Sequence, residues 1–395
     1  MKNPLLILIF TFSFCTLFSQ GTWTQKANYP IAGHYSCPGF SINSKGYVAT
    51  GNGPNNFAEY DPATNLWQLK ADCPDSAEGF AFTIGNKGYI GEFYSSNEFW
   101  EYDQTTDTWV QKANFPGPLR RVDVRFAIGT KGYVATGICP TAYLNDVWEW
   151  DQLTNTWTQK ANFGGSGRVA AIGFSIGNKG FIATGIDLTD YCRDLWQYDP
   201  ATDTWTQKAN FGGTKRSEAT AFVIGSCAYV GTGTTSVGTG STSDFWKYDV
   251  WTNTWTPVTS FAGNLRELAT AFTIDCKGYV GMGWINDNFF SYQNDLWEYT
   301  PDTCDLSGIS ENNFQLSATF FPSPFSFETT LSTNTNLKDA TLLFYNNNGQ
   351  LVKQLANISG KEVLIKKGNL PAGIYLVKIT QDNKILYTGK CAIAD

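Results

Sequence analysis

Short runs of alternating apolar and polar residues recur along most of this chain with a regular period. Copies of a phrase close to Thr-Trp-Thr-Gln-Lys-Ala-Asn are spaced by 44, 42, 48, 48 and 50 residues. The tryptophans of these copies are Trp23, Trp67, Trp109, Trp157, Trp205 and Trp255. Alternation over a few residues is typical of β-strands, and a period in the forties indicates units that stack to bury a shared core. The pattern predicts a tandem-repeat protein built from strands.

A β-hairpin is predicted in every repeat. A Phe-x-Ile run begins seven residues before an aromatic residue in a Gly-Tyr-Val-like phrase. The phenylalanines are Phe40, Phe82, Phe126, Phe174, Phe222 and Phe272, and the later aromatic residues are Tyr47, Tyr89, Tyr133, Phe181, Tyr229 and Tyr279. The two runs are joined by a short turn, clearest as Ile-Gly-Asn-Lys-Gly at 84–88 and 176–180, whose Gly and Asn tolerate positive φ.

Two further strands follow each hairpin. Glycine-rich loops lead to a third apolar-aromatic run, such as Asp-Leu-Trp-Gln-Tyr at 194–198. An Asp-Pro-Ala-Thr-Asp turn at 199–203 then precedes the next Trp, with Pro fixing φ and Asp bonding nearby amides. Four strands per repeat predict one blade of a β-propeller.

These phrases resemble the kelch family over about residues 22 to 304. That family places a Tyr in the second strand, a glycine pair after it, a Tyr-Asp-Pro turn and a Trp in the outer strand. Here the glycine pair is mostly Thr-Gly, as at Thr136-Gly137, and Glu92-Phe93 replaces it in the second repeat. The resemblance implies an all-β, six-bladed propeller over 21–304.

The two ends of this region predict how the ring closes. The chain begins with a fourth-type strand at 22–27 carrying Trp23, whereas the last Tyr-x-Pro turn at 299–301 is followed by no Trp. An N-terminal strand that completes the sixth blade removes the open edges of the first and last units.

The pattern changes after residue 304. Residues 305–318 are predicted to be a linker, and 319–395 to form a small β-sandwich with an Asn-Gly hairpin turn at 348–349. The phrases Phe-Phe-Pro-Ser-Pro, Leu-Phe-Tyr-Asn-Asn-Asn-Gly-Gln and Leu-Pro-Ala-Gly-Ile-Tyr resemble the C-terminal sorting domain of the type IX secretion system of Bacteroidota. That resemblance implies recognition of 319–395 by the type IX secretion machinery; an ordinary adhesive β-sandwich is the alternative.

Residues 1–20 read as a signal peptide, with Lys2 and an apolar run from Leu5 to Phe18. No other segment has the length of a transmembrane helix, so we expect a secreted or outer-surface protein.

Export permits disulfides. Equivalent repeat positions suggest the pairs Cys139–Cys192 and Cys227–Cys276, with reduced buried thiols as the alternative.

Composition agrees with an exported β protein and argues against one class of partner. Aromatic residues make up 15% of the chain and charged residues 16%, and there are 38 glycines. A net charge of −7 argues against nucleic acid. Lysines stand three residues after five of the tryptophans, and strand parity predicts that they point into solvent. They are Lys26, Lys70, Lys112, Lys160 and Lys208.

One position of the repeat is occupied mainly by arginine. Thirteen residues before each second-strand aromatic stand His34, Ser76, Arg120, Arg168, Arg216 and Arg266. Strand alternation places them on the face that carries the long loops with Tyr94, Tyr143, Tyr191 and Trp284, and together these residues form our candidate ligand-binding face. Each of the four repeats with this Arg also has an Asp before its third strand: Asp146, Asp194, Asp244 and Asp295. An Arg–Asp pair that holds loops is therefore the competing interpretation, and the one we favour.

Catalytic signatures are scarce. His34 is the only histidine, which argues against the copper-radical oxidases of this fold, and we predict no metal and no cofactor. We expect a binding module for a protein or glycan ligand on the loop face. The competing class is a sugar-acting enzyme resembling the sialic-acid mutarotases, using arginines, His34 and an acid such as Glu78 or Glu218 for proton transfer.

Overall fold

The computed structural model describes residues 21–49, 51, 55–74, 81–91, 95–235, 240–285, 291–302, 316, 318–345, 351–381 and 384–394. Their regular secondary structure consists of β-strands, and among them no helix is long and apolar enough to span a membrane. The predicted signal peptide, 1–20, and most of the predicted linker, 305–318, lie outside the described residues.

The described residues between 22 and 300 form six four-stranded antiparallel sheets, one for each sequence repeat, which we call blades 1 to 6. Strands are numbered along the chain. Blade 1 contains β2 (Gly39–Ile42), β3 (Lys45–Ala49), β4 (Phe57–Asp61) and β5 (Leu66–Leu69). Blade 2 contains β6 (Phe82–Ile84), β7 (Lys87–Gly91), β8 (Phe99–Asp103) and β9 (Thr108–Gln111). Blade 3 contains β10 (Val124–Ile128), β11 (Lys131–Ala135), β14 (Val147–Asp151) and β15 (Thr156–Lys160).

The other three blades follow the same order. Blade 4 contains β17 (Ile172–Ile176), β18 (Lys179–Ala183), β20 (Leu195–Asp199) and β21 (Thr204–Lys208). Blade 5 contains β22 (Thr220–Ile224), β23 (Cys227–Gly231), β24 (Phe245–Asp249) and β25 (Thr254–Val258). Blade 6 contains β26 (Thr270–Ile274), β27 (Lys277–Gly281) and β30 (Leu296–Thr300), with β1 (Thr22–Lys26) as its outer strand.

The inner strands of the blades contact one another in a closed ring. The contacts run from β2 to β6, β10, β17, β22, β26 and back to β2, which is a propeller arrangement. Strand β1 pairs antiparallel with β30, and Trp23 lies opposite Tyr299. The predicted closure by the N-terminal strand is confirmed.

The packing between blades explains why glycine recurs in the second strand. The phenylalanine ring of each inner strand lies over the second strand of the next blade. A Cβ atom on Gly132 would lie 2.3 Å from the Phe82 ring, and one on Gly180 would lie 2.3 Å from the Phe126 ring. Because interiors are close-packed, a small residue is required at this position. Blade 5 has Ala228 there.

The recurrent tryptophan forms a hydrogen bond between neighbouring blades. Trp157 Nε1 donates a hydrogen bond to the Ala113 carbonyl at 2.8 Å, and the Ala113 amide donates to Asn155 Oδ1 at 2.9 Å. At the ring closure, Trp23 Nε1 donates to the Thr259 carbonyl at 3.0 Å. These bonds explain why Trp, Ala and Asn or Asp recur together in the repeat.

Pairs of two-residue strands stand at one end of the ring, which we call the loop face. Strand β12 (Ile138–Cys139) pairs with β13 (Ala142–Tyr143), β16 (Arg168–Val169) with β19 (Ile186–Asp187), and β28 (Trp284–Ile285) with β29 (Ser291–Tyr292). Because β16 directly precedes inner strand β17, the arginine column and the long loops meet at this end, as predicted. The tight hairpin turns of the blades lie at the opposite end.

The C-terminal domain is a five-stranded antiparallel sheet in the described residues. Its strands are β31 (Ala318–Phe321), β32 (Glu328–Tyr345), β33 (Leu351–Lys366), β34 (Gly373–Gln381) and β35 (Lys384–Ile393). Register shifts interrupt the pairing of the two longest strands, β32 and β33. The domain has its own apolar core, which includes Leu331, Leu342 and Val377.

The prediction of solvated lysines is wrong for Lys26, Lys70 and Lys112. Lys26 lies 3.3 Å from Glu298, and Lys112 lies 3.5 Å from Glu101. Strand parity placed the lysines on the face away from their tryptophans, but it ignored the glutamates that the third strands carry there. These three lysine side chains are 13–20% exposed.

The predicted disulfides are wrong. Cys139, Cys192 and Cys227 keep their thiols, whereas Cys276 is disulfide-bonded, so its partner is none of these three. A disulfide joins Cα atoms about 4–7 Å apart. Equivalent positions in adjacent blades are related by a whole blade rotation, which is why repeat equivalence is a poor guide to pairing.

Candidate functional site

The four arginines of the repeat column clasp the loop face to the blades. Each guanidinium donates two hydrogen bonds to the aspartate before the third strand of its own blade. The distances are 2.7 and 2.7 Å for Arg120–Asp146, 2.5 and 2.9 Å for Arg168–Asp194, 2.8 and 2.8 Å for Arg216–Asp244, and 2.5 and 2.7 Å for Arg266–Asp295. The predicted Arg–Asp pairs are confirmed, and we call them the arginine clasps.

Each guanidinium is enclosed by protein. Arg168, which is 1% exposed, also donates to the Ser166 carbonyl at 3.2 Å and to the Thr184 carbonyl at 3.0 Å. The Phe163 ring covers it, with 4.9 Å from the guanidinium carbon to the ring centroid. The other three arginines have equivalent partners and are 0% exposed. These side chains hold loops together and present little surface to a ligand.

Three of the clasps lower the pKa of their aspartates. Burial raises the pKa of Asp194, but hydrogen bonds from Arg168 and its positive charge outweigh that effect, so the pKa lies below its usual value. The same balance lowers the pKa of Asp146 and of Asp244.

Of the other predicted residues of the loop face, Tyr191 and Trp284 lie close to Glu267, and the rest lie elsewhere or outside the described residues. His34 occupies the arginine position in blade 1, where its carbonyl accepts a hydrogen bond from the Gly283 amide at 3.0 Å. Tyr143 lies half-buried in β13, and Tyr191 lies half-buried near two glutamates. Ser76, Glu78 and Tyr94 lie outside the described residues.

Four backbone hydrogen bonds connect five of the blades around the channel on the loop face, in the part of the chain that the structure describes. Two residues after the arginine column, φ is positive at Ser36, Val122, Ala170, Glu218 and Leu268, between 50° and 57°. The amides of Ala170, Glu218, Leu268 and Ser36 donate to the carbonyls of Val122, Ala170, Glu218 and Leu268 respectively, at 3.0–3.3 Å. A non-glycine residue at positive φ costs about 1–3 kcal/mol and persists where its surroundings impose it. We call these five residues the mouth ring.

Beneath the mouth ring lies a cavity of about 140 Å³. One inner-strand residue of each blade lines it: Gly39, Ala81, Arg125, Gly173, Ala221 and Ala271. Arg125 is the only long side chain in that column. It donates to both oxygens of Asp123, at 2.9 and 3.2 Å, and to the Gly91 carbonyl. Besides these residues, the cavity lining includes two further arginines, Arg120 and Arg121, and the larger apolar residues Ile172 and Leu268.

Aromatic and acidic side chains meet at one side of the mouth ring. Glu267 and Trp284 lie opposite each other in an antiparallel bridge, with backbone hydrogen bonds of 3.0 and 3.1 Å, and Trp284 lies opposite Tyr292 in the β28–β29 hairpin. Tyr35 of blade 1 stacks on Tyr292, with 5.5 Å between ring centroids and 24° between planes. Opposed residues on paired strands project from one face. We call Glu267, Trp284, Tyr292 and Tyr35 the acid–aromatic row.

Glu218 of the mouth ring joins this row through a carboxyl–carboxyl hydrogen bond to Glu267. Burial, followed by that hydrogen bond and by the negative charge of Glu267, raises the pKa of Glu218 to about 8. Glu267 is 2% exposed and accepts a hydrogen bond from the Ser241 hydroxyl at 3.1 Å. At neutral pH the Glu218 carboxyl group therefore carries its proton.

Sequence reasoning missed Glu267 and Tyr35, although the repeat contains a signal for both. The position directly after the arginine column holds Tyr35, Arg121, Val169, Ser217 and Glu267 in the described blades. The next position varies as widely, with Ser36, Val122, Ala170, Glu218 and Leu268, whereas the arginine itself recurs in four blades. Variable positions of a regular repeat are ones that the fold does not dictate, and loop positions of this kind carry function.

Two family matches cover separate parts of the chain. Residues 215–262 match the family described as Kelch motif, and residues 319–394 match the secretion system C-terminal sorting domain. No curated protein matches the whole sequence at a significant level.

One similar solved structure is titled "Structure of YjhT". It shares 14% sequence identity and a TM-score of 0.60, and the alignment covers 70% of this chain and 97% of that chain. At this identity the likeness concerns the fold. With the two family matches, it establishes that the chain combines a kelch-type β-propeller with a type IX secretion sorting domain, and that this domain directs export to the cell surface or the outside.

Proposed function

We propose that this protein is a binding module that the type IX route delivers to the cell surface or the medium, and that it holds an extracellular protein or glycan on the loop face. The contact surface is the aromatic part of the acid–aromatic row, Tyr35, Trp284 and Tyr292, together with the adjoining part of the mouth ring, and Glu267 lies buried beside it. The arginine clasps serve as its scaffold.

The observation that carries this proposal is the convergence of three blades on one spot. Blade 5 contributes Glu218, blade 6 contributes Glu267, Trp284 and Tyr292, and blade 1 contributes Tyr35. Tyr292 is 48% exposed, so an aromatic surface faces solvent beside polar groups. Aromatic residues with a few convergent polar groups are typical of ligand sites and of binding hot spots.

The proposal is tested by screening the exported protein against glycans and purified secreted proteins, and then comparing variants. We expect Tyr292→Ala to weaken a specific ligand at least tenfold. Trp251→Ala is the matched control, because Trp251 is 68% exposed in a turn on the opposite face. A ligand that tolerates Tyr292→Ala and Glu267→Ala, and loses affinity with Trp251→Ala, would place the binding surface elsewhere.

A sugar-acting enzyme is the second candidate, and the raised pKa of Glu218 favours it. A carboxylic acid that is protonated at neutral pH beside a second carboxyl group is suited to reversible proton transfer at the reducing end of a sugar. The clasped arginines and His34 are not needed for this step. Exchange NMR of reducing sugars tests it: acceleration of anomeric exchange that Glu218→Gln abolishes supports the enzyme, and no acceleration with any sugar rejects it.

A further inference from the structure

Cys276 is disulfide-bonded, and the other cysteines of the chain identify its partner. The sequence contains nine cysteines. Six of them keep their thiols: Cys37, Cys73, Cys139, Cys192, Cys227 and Cys391. The two remaining cysteines are Cys15 and Cys304. Cys15 stands in the apolar run of the predicted signal peptide, so an exported chain that has lost this peptide no longer contains it. This leaves Cys304 as the partner of Cys276.

The pairing of the last strands leads the chain to the turn that carries Cys276. This residue lies half-buried in the β26–β27 turn. Strand β27 pairs antiparallel with β30, and Gly278 lies opposite Tyr299. Continuing this register places Pro301 beside Cys276, three residues before Cys304. Consecutive Cα atoms are about 3.8 Å apart, and a disulfide joins Cα atoms about 4–7 Å apart. A chain that turns back after Pro301 therefore satisfies the distance.

The ring of blades closes at the same place. The Gly21 amide donates a hydrogen bond to Asp302 Oδ1 at 3.1 Å, and β1, which follows Gly21, pairs with β30. Cys276 and Trp23 pack against the same apolar cluster, which includes Tyr299. Strand β1 is thus held by β30, and β30 is held by β27. A covalent bond from the end of β30 to the β26–β27 turn would oppose separation of the strands that hold β1.

Export and oxidation are chemically linked at this position. Disulfides form in oxidising compartments and are rare in the cytoplasm, so export precedes the bond. An external oxidant that carries a disulfide supplies the oxidising equivalents. The thiolate of one cysteine attacks that disulfide and displaces one thiol, and the second thiolate attacks the mixed disulfide and displaces the other. The two cysteines lose two protons and two electrons, and the oxidant takes up both.

We propose that Cys276 and Cys304 form a disulfide after export, and that this bond fastens the last strand of the propeller where the linker to the sorting domain begins. The bond encloses residues 276–304 and so ties β27 and β30 together independently of their hydrogen bonds. It lies at the end of the ring opposite the loop face. The inference is therefore independent of the ligand proposed above.

Peptide mapping of the exported full chain tests the pairing. Thiols are blocked with iodoacetamide, and the chain is digested with trypsin without reductant. Cleavage after Arg266 and Lys277 puts Cys276 in peptide 267–277 and Cys304 in the peptide that begins at Gly278. We expect mass spectrometry to find these two peptides as one species that separates on reduction. An alkylated Cys276, or its linkage to any other peptide, such as 217–247, would overturn the pairing.

Thermal unfolding tests whether the bond fastens the ring. A disulfide stabilises mainly by restricting the unfolded chain, and for a loop of this length we expect Cys304→Ser to lower Tm by about 7 °C. Cys276→Ser should have a similar effect, and the double variant should lose little more than either single variant. Reductant should remove the difference between the wild type and Cys304→Ser.

Cys227→Ser is the matched control, because Cys227 occupies the equivalent turn of blade 5 and keeps its thiol. Its Tm should change by less than about 2 °C. If the mapped bond is present but Cys304→Ser unfolds at the temperature of the wild type, the bond does not fasten the ring and that part of the inference fails. Neither measurement involves a ligand, so the proposed function stands or falls separately.

Discussion

Removing one arginine clasp should destabilise the propeller strongly, and Arg168→Ala is the clearest case. The substitution removes two hydrogen bonds to Asp194, those to the Ser166 and Thr184 carbonyls, and the contact with the Phe163 ring. It leaves a carboxylate that is 22% exposed in its side chain without its counter-ion. Breaking a buried ion pair costs about 3–5 kcal/mol. Because Asp194 is partly exposed, we expect the low end, about 3 kcal/mol, or roughly 6 °C in Tm.

Urea unfolding followed by tryptophan fluorescence measures this loss, and a double-mutant cycle with Asp194→Ala isolates the pair. Arg168→Lys keeps the charge but lacks the planar fork, so it should recover only part of the stability. Lys215→Ala is the matched control, since Lys215 forms an exposed ion pair with Asp190 on the same face. Exposed pairs contribute about 0–1 kcal/mol.

The pH dependence of the folding stability is an independent test of the Arg168–Asp194 clasp. The pKa of Asp194 is lowered in the folded state, so the clasp contributes stability above the unfolded-state pKa of an aspartate, which is about 4. That contribution is lost as pH falls through the lower folded pKa. The stability curves of the wild type and Arg168→Ala should therefore converge under acid conditions. A loss below about 1 kcal/mol at pH 7, or parallel curves down to pH 2, would refute the reasoning.

Three further perturbations have defined outcomes. Trp23→Ala should destabilise the propeller by about 3–5 kcal/mol in thermal or urea unfolding, because it removes the indole ring that packs on Phe245 and Phe261 where the ring of blades closes. A loss under 1 kcal/mol would contradict closure by β1. Gly132→Ala should cost about 1–3 kcal/mol, since its Cβ meets the Phe82 ring, and adding Phe82→Leu should recover part of the loss. Glu218 has a raised pKa, so its contribution is present below about pH 4.5 and is lost as pH rises through about 8. Glu218→Gln should flatten Tm against pH over that range, and an unchanged profile would count against the raised pKa of Glu218.

The blade architecture was predictable because every repeat uses the same turns and strand pairs. The predicted turn after each inner strand is present, with positive φ at its first residue in all six blades, for example at Gly85, Gly177 and Asp275. The strand pairs and the missing sixth Trp then determine where β1 goes. Each of these inferences uses contacts within a repeat or between consecutive repeats, which recur along the chain and can be compared with one another.

The candidate site was less predictable for the opposite reason. The acid–aromatic row joins Glu218, Glu267 and Tyr35 from blades 5, 6 and 1, which meet because the ring is closed. That combination occurs once in the described residues, so no other copy of the repeat reveals it. The disulfide prediction failed likewise, because equivalence in the repeat says nothing about distance across blades.

Co-occurrence within a repeat is therefore the signal to trust, and it identifies a second interaction that the sequence analysis overlooked. The Tyr133 hydroxyl donates to Glu149 at 2.7 Å across paired strands, as equivalent Tyr–Glu pairs do in blades 1, 2 and 6. In blade 4 the tyrosine becomes Phe181, and the residue opposite is Gln197. A glutamate left there without its hydroxyl partner would be a half-buried charge lacking a hydrogen bond, which is unfavourable. Blade 5 is the exception, because it keeps Tyr229 opposite Lys247. In the other five blades the two groups are kept or lost together, as a direct contact predicts.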